Sequence, residues 1–290
     1  MPIIGLAVNN TLVRPVILGG LDFSVPTPEG VEFIVTDVTG WDNGPASTLE
    51  TIQRLRAPGG WRSSDPQFTV RPLSLEVELA SPNMAALLAA IRQIRQAATL
   101  EETLLTVTDP GAGPLSLRVS RQGEVLAVAH GENYGTVSVS LTAADSRKFG
   151  PTQQEATPLP SATGGLTVPF TVPFAINSVV QTGQISMTND GDLTGPVVAR
   201  VDGPCSDFTI THVGSSGSRI FSLALPLAAG EWVEIDMENE TVLAQGQSSR
   251  SQWVTSRGFA GFDPGPNTWA FASSTATAAM LTITATPSYE

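Results

Sequence analysis

The chain has 290 residues, 41% of them hydrophobic and only 14% charged, with a formal net charge of −12. That apolar content excludes a disordered chain, and the acidic balance excludes a nucleic-acid binder, which needs a basic footprint. One cysteine, Cys205, leaves no intrachain disulfide and no cysteine zinc site.

Residues 1–30 are apolar but broken by Gly19–Gly20, Pro26 and Pro28, and read as short extended pieces. The opening MPIIGLAVNNTLVRP lacks a basic segment and a long apolar run, so no signal peptide is expected. Nor is there an 18-residue apolar stretch to cross a membrane as a helix. From Glu32 to Val38 apolar and polar residues alternate, the mark of a strand, and Asp42–Asn43–Gly44–Pro45 makes a turn. Thr48–Asp65, with Arg54, Arg56, Trp61 and Arg62, reads either as an exposed loop or hairpin or as a contact arm for a neighbouring subunit. Gln67–Leu79 is expected to be a strand with a kink at Arg71–Pro72, because Phe68 and Val70 sit on the opposite parity from Leu73, Leu75, Val77 and Leu79. Ser81–Pro82 then predicts a helix start, serine as N-cap and proline at the first helical position. Met84, Leu87, Leu88, Ile91 and Ile94 follow as its core stripe. Four strands are expected next, near 103–108, 114–120, 123–130 and 135–142, with Arg121–Gln122–Gly123 as the hairpin turn of the middle pair. The last of these closes the first half and exits through Ala143–Ala144–Asp145 to Gly150–Pro151.

The second half opens with a linker-like PLPSATGG at 158–165. Strands are then expected at 168–174, 181–188, 196–203, 207–213, 218–225, 231–237, 241–246, 252–255, 267–272 and 279–286. Such regular spacing with turn signals between is the pattern of a β-sandwich, and no helix of two turns is expected.

The search for chemistry returns little. His130 ends a strand and His212 alternates with apolar neighbours, so both read as structural. Gly214–Ser218 is not a nucleophile elbow, and no phosphate-binding glycine pattern occurs. Asp190–Gly195 resembles the start of a calcium loop, but its twelfth position is Val201 where a bidentate glutamate is required. Glu234, Asp236 and Glu238 cluster, which a solvated strand face explains as well as a paired-carboxylate site. Cys205 reads as a small buried hydrophobe. We therefore expect a non-enzyme, with no catalytic, cofactor-binding or metal residues and no cofactor.

Two bulk features point elsewhere. A charged fraction well below the usual ~25% suits a surface consumed by partner subunits. Fourteen of the 15 basic residues are arginine and only Lys148 is lysine. Since lysine commonly guards strand edges, its absence fits edges used for assembly; an arginine bias without mechanical meaning fits equally well.

Several segments, in this order, resemble those of siphophage distal tail proteins, the baseplate component that joins tail tube to tail tip. They are RPLSLEVELASPNMAALLAAIRQIRQ (71–96), LTAADSRKFG (141–150), MTNDGDLTGPVVARVDGP (187–204), LAAGEWVEIDMENETVLAQG (227–246), FDPGPNTWAF (262–271) and the ending LTITATPSYE. The resemblance implies a mainly β fold: residues 1–150 a tail-tube-like β-barrel or sandwich with one packed helix, 151–166 a linker, and 167–290 a galectin-like β-sandwich. It also implies a homohexameric ring around a channel through which DNA passes unbound. The implied partners are the tail tube protein, the baseplate hub or tail-tip protein, the tape measure protein and receptor-binding fibres, in a virion assembled in the host cytoplasm. Asn189, Gly191, Pro196, Gly230 and Asp236 would then be scaffold turn residues. The alternative is a host-glycan-binding adsorption module, with Trp232, Trp253 and Trp269 as stacking platform.

Overall fold

A computed structural model describes residues 14–48, 51–62, 67–163, 179–181, 183–275 and 278–290. The chain divides into two compact units, one of Met1–Lys148 with Glu290 and one of Phe149–Tyr289. Both are built of antiparallel sheet.

The first unit opens with strands Val16–Leu18 and Leu21–Asp22, paired as a two-residue hairpin. Gly19 and Gly20 both take positive φ (+55° and +85°), the backbone that such a turn requires and that glycine adopts without penalty. Val16 and Leu18 are buried, so this segment belongs to the core. The sheet continues through Thr103–Asp109, Gly113–Ala129, Tyr134–Ala143 and Arg71–Ala80 to Glu32–Thr39. Instead of the two strands and hairpin turn expected around Arg121–Gly123, Gly113–Ala129 is a single strand of 17 residues. Its first half pairs with Thr103–Asp109 and its second with Tyr134–Ala143, with a bulge between Arg121 and Val125. Gly123 (φ +80°) supplies the bend that a hairpin would otherwise have used. One strand thereby serves two different partners along its length, and Leu105, Val107, Leu115, Leu117, Leu75, Val77, Val137 and Val139 are buried.

The slip foreseen at Arg71–Pro72 falls two residues earlier. Gln67–Phe68 forms its own short ladder with Ser47–Thr48, leaving Phe68 and Val70 exposed, and the core strand begins at Arg71. Pro72 is tolerated because Glu32–Thr39 reaches only as far as Ser74, so no ladder donor is missed.

The helix spans Met84–Ala97 and its N-cap is Asn83, not Ser81. Asn83 Oδ1 accepts from the Ala86 N–H at 2.9 Å, while the Ser81 hydroxyl donates to the Asn83 carbonyl and shapes the approach. Leu87, Ile91 and Ile94 are buried as expected. Met84 and Leu88 are not: Ala86, Ala90 and Ala97 complete the buried stripe, because short side chains let the helix lie close to the sheet.

In the second unit a six-stranded sheet runs in the order Gln153–Pro158, Met280–Ala285, Val197–Asp202, Trp232–Asp236, Thr241–Ala244, Ser248–Ser249. A five-stranded sheet runs Gln184–Asn189, Gly265–Ala272, Phe208–Gly214, Gly217–Leu223, Val254–Arg257. Val197, Val201, Val233, Ile235, Leu281 and Ile283 of one share a single apolar core with Ile185, Phe208, Ile210, Phe221, Trp269 and Phe271 of the other. Residues 153–158, expected within the linker, are a strand paired along its full length with Met280–Ala285. The expected strand at 168–174 lies outside the described residues. Among the described residues, the one helical segment of this unit is a three-residue 3₁₀ turn at Ser251–Trp253.

Candidate functional site: surfaces left for assembly

The residues able to carry chemistry are used for building. His212 is buried on the strand Phe208–Gly214; its Nε2 donates to Asn267 Oδ1 at 2.8 Å, and its ring lies 5.1 Å from that of Trp269. Asn267 Oδ1 also accepts from the Asp263 N–H, and Asn267 Nδ2 donates to the carbonyls of Asp263 and Gly265. Asp263 Oδ2 in turn accepts from the backbone N–H and hydroxyl of Ser216. Serine, aspartate and histidine therefore occur together, but in the wrong order for nucleophilic catalysis. Ser216 faces the Asp263 carboxylate and the imidazole faces the Asn267 amide, so the histidine does not stand beside the hydroxyl as it does in a Ser-His-Asp triad. No local signal announces this network, since DPGPN at 263–267 has only the composition of a turn.

Asn189 organises the Asp190–Gly195 loop. Its Nδ2 donates to the carbonyls of Leu193 (3.0 Å) and Phe262 (2.7 Å), and its Oδ1 accepts from the Gly191 N–H. A Cβ at Gly191 or Gly195 would fall on the carbonyl oxygens of Ser288 or Thr286, so both glycines serve close backbone approach. Pro196 immediately precedes Val197–Asp202, and Gly230 holds φ +86° in the turn before Trp232. Asp236 ends its strand by accepting from the N–H groups of Glu238 and Asn239. Among the described residues no three His, Cys, Asp or Glu come close enough to hold a metal ion. His130 lies on the surface beside Thr136 and Tyr134. Cys205 is buried, and burial pushes its thiol pKa up, away from reactivity. Trp269 is fully buried and the Arg200 guanidinium stacks on Trp232 at 4.3 Å, leaving Trp253 as the exposed member of the expected sugar platform.

In the first unit the buried cations are also structural. The Arg71 and Lys148 side chains both donate to the Trp41 carbonyl at 3.2 Å, with the Lys148 ammonium 5.6 Å from the indole centroid. Burial lowers the Arg71 pKa and the charge of Glu290 partly restores it.

The surface also exposes apolar side chains. Thr51–Gln53 pairs with Gly60–Arg62 in a hairpin that leaves Ile52 and Leu55 exposed. Leu126 and Val128, also exposed, sit on the outer face of the long strand. Exposed apolar side chains of this kind are available for contact between proteins.

Residues 191–289 match the family model described as the siphovirus-type tail component, C-terminal domain. Over that span the second unit is similar to this tail-component domain. Across both units the fold is similar to the crystal structure of the SPP1 Dit (gp 19.1) protein, described as a paradigm of the hub adsorption apparatus in phages infecting Gram-positive bacteria. The TM-score is 0.64 at 11% identity, covering 94% of this chain and 99% of that one, so the Dit likeness is one of fold. Chains in two structures of the phage p2 baseplate in its activated conformation, with Ca and with Sr, align over 94% of this chain at 9% identity. Their TM-scores are 0.47 and 0.49, over 97% and 98% of their own lengths. No curated protein sequence matches the chain significantly.

Proposed function

We propose that this chain is a non-enzymatic structural protein of a siphophage tail, a distal baseplate component. The observation that carries the reading is the Dit-type domain at residues 191–289, in a chain whose whole fold is that of a Dit protein. The first unit, tail-tube-like, forms a homohexameric ring by heterologous contacts that close, and the ring encloses the channel for DNA between tail tube and tail tip. The second unit, a galectin-like sandwich, docks the tail-tip hub and fibres. The acidic balance of the chain fits a lumen that lets DNA pass without holding it.

Negative-stain imaging and mass measurement of the purified chain test this reading. Six-fold rings and a mass six times that of the 30.3 kDa chain are expected. A chain that stays monomeric at high concentration and is missing from virions would overturn it.

A further inference from the structure

The segment Asp42–Asn43–Gly44–Pro45 has no part in the reading above, and it holds the one Asn–Gly pair of the sequence. Six asparagines lie among the described residues, and the side chains of five are held by hydrogen bonds. Asn83 caps the helix by accepting from the Ala86 N–H, and Asn133 donates to the carbonyls of Ser81 and Pro82. Asn189 and Asn267 are buried in the networks described above, and Asn239 donates to the Asp236 carboxylate. Asn43 is the exception. It is exposed, and among the described residues its side-chain amide meets no hydrogen-bond partner. The N–H of Gly44, also exposed, meets none among them either.

We propose that Asn43–Gly44 is a site of spontaneous deamidation. The Gly44 backbone nitrogen gives its proton to water and attacks the Asn43 side-chain carbonyl carbon. The bond from that carbon to the amide nitrogen breaks, and ammonia leaves behind a five-membered imide. Water then opens the imide at either carbonyl, giving aspartate or isoaspartate. Overall one amide and one water become one carboxylic acid and one ammonia, with no redox step. The reaction favours an attacking nitrogen free of hydrogen bonds, a side chain free to turn onto it, and no Cβ to crowd the approach. The other five asparagines precede Met84, Tyr134, Asp190, Glu240 and Thr268, each of which carries a side chain.

The position gives the change a consequence. Asp42 accepts from Arg14 at 2.6 Å, and the carbonyl of the preceding Trp41 holds the Arg71 and Lys148 side chains. Just beyond Pro45, Ser47–Thr48 pairs with Gln67–Phe68. Aspartate at residue 43 adds a negative charge beside Asp42. Isoaspartate also routes the main chain through the former side chain, which inserts a methylene between the Trp41 anchor and that ladder. This inference is independent of the assembly reading above.

The test is mass-spectrometric peptide mapping of the full chain, kept folded for weeks at mildly alkaline pH, with an isoaspartate-specific methylation assay beside it. Residue 43 should gain about one dalton with time and split into two chromatographic forms, while the other five asparagines stay intact. Asn43→Gln, which would need a six-membered ring, and Gly44→Ala should each slow the change at least about ten-fold. A Cβ at residue 44 would meet the far end of the Glu290 side chain, which can turn aside, so Gly44→Ala should fold; Asn43→Gln changes an exposed side chain and decides the matter if it does not. An Asn43 that stays intact in the folded chain while the guanidinium-unfolded chain loses it would overturn the inference, because the fold would then protect the site. Other asparagines converting as fast as Asn43, or Gly44→Ala converting as fast as wild type, would overturn it as well.

Discussion

Asn267 shows how much one side chain can hold. It accepts from His212 and the Asp263 N–H and donates to two carbonyls, all in a buried corner. Truncation leaves several polar groups dry at once, and each orphaned group costs about 1–3 kcal/mol. Asn267→Ala should therefore destabilise the chain by at least about 2 kcal/mol in urea unfolding. Asp145 offers a pH-dependent case. Burial pushes its pKa up, but the side-chain and backbone donors of Arg147 outweigh this and hold it below the usual carboxylate value. A carboxylate with a lowered folded pKa contributes stability above its unfolded pKa of about 3.9, which is lost as pH falls through the folded value. Asp145→Asn should accordingly cost stability at pH 7, and wild type and variant should converge in thermal melts as pH falls through the lowered folded value.

At the scale of elements the helix and the long strand carry the lesson. Leu87 is fully buried while Leu88 beside it is 47% exposed. Leu87→Ala should cost about 2–5 kcal/mol and Leu88→Ala less than about 1 kcal/mol, read by urea midpoints on the same chain. Asn83→Ala should cost about 1 kcal/mol through the lost cap. Helical periodicity made Leu87, Ile91 and Ile94 legible, but Met84 and Leu88 fit the same period. Periodicity marks a stripe without telling its edge, and here alanines decide where the helix lies. The bulge was misread for a related reason. Arg121–Gln122–Gly123 has turn composition, and a positive-φ glycine serves a hairpin and a bulge equally well. Choosing between them depends on a partner distant in sequence, the Tyr134–Ala143 strand that stays paired across the irregularity.

For the whole molecule, charge is the property that composition alone controls. The second unit carries eleven acidic side chains against four arginines, and the first sixteen against eleven basic ones, so neither unit is net basic. The chain should leave duplex DNA unshifted in a retention gel at 0.15 M salt, where non-specific binding would require several phosphate contacts. The sequence by itself determined the mainly β class, the single helix and most strands of both halves, because alternation and turn residues are local signals of which side chains can be buried. Asn189 and Asp236 could likewise be read as turn residues, since their side chains bond their own neighbours. Only the tertiary structure decided that residues 153–158 are a strand rather than a linker, that Asn267 joins His212 to Asp263, and that, among the described residues, Val125–Ala129 pairs on one side only. Each of these depends on a partner dozens of residues away or on the want of one, and no window along the chain contains that information.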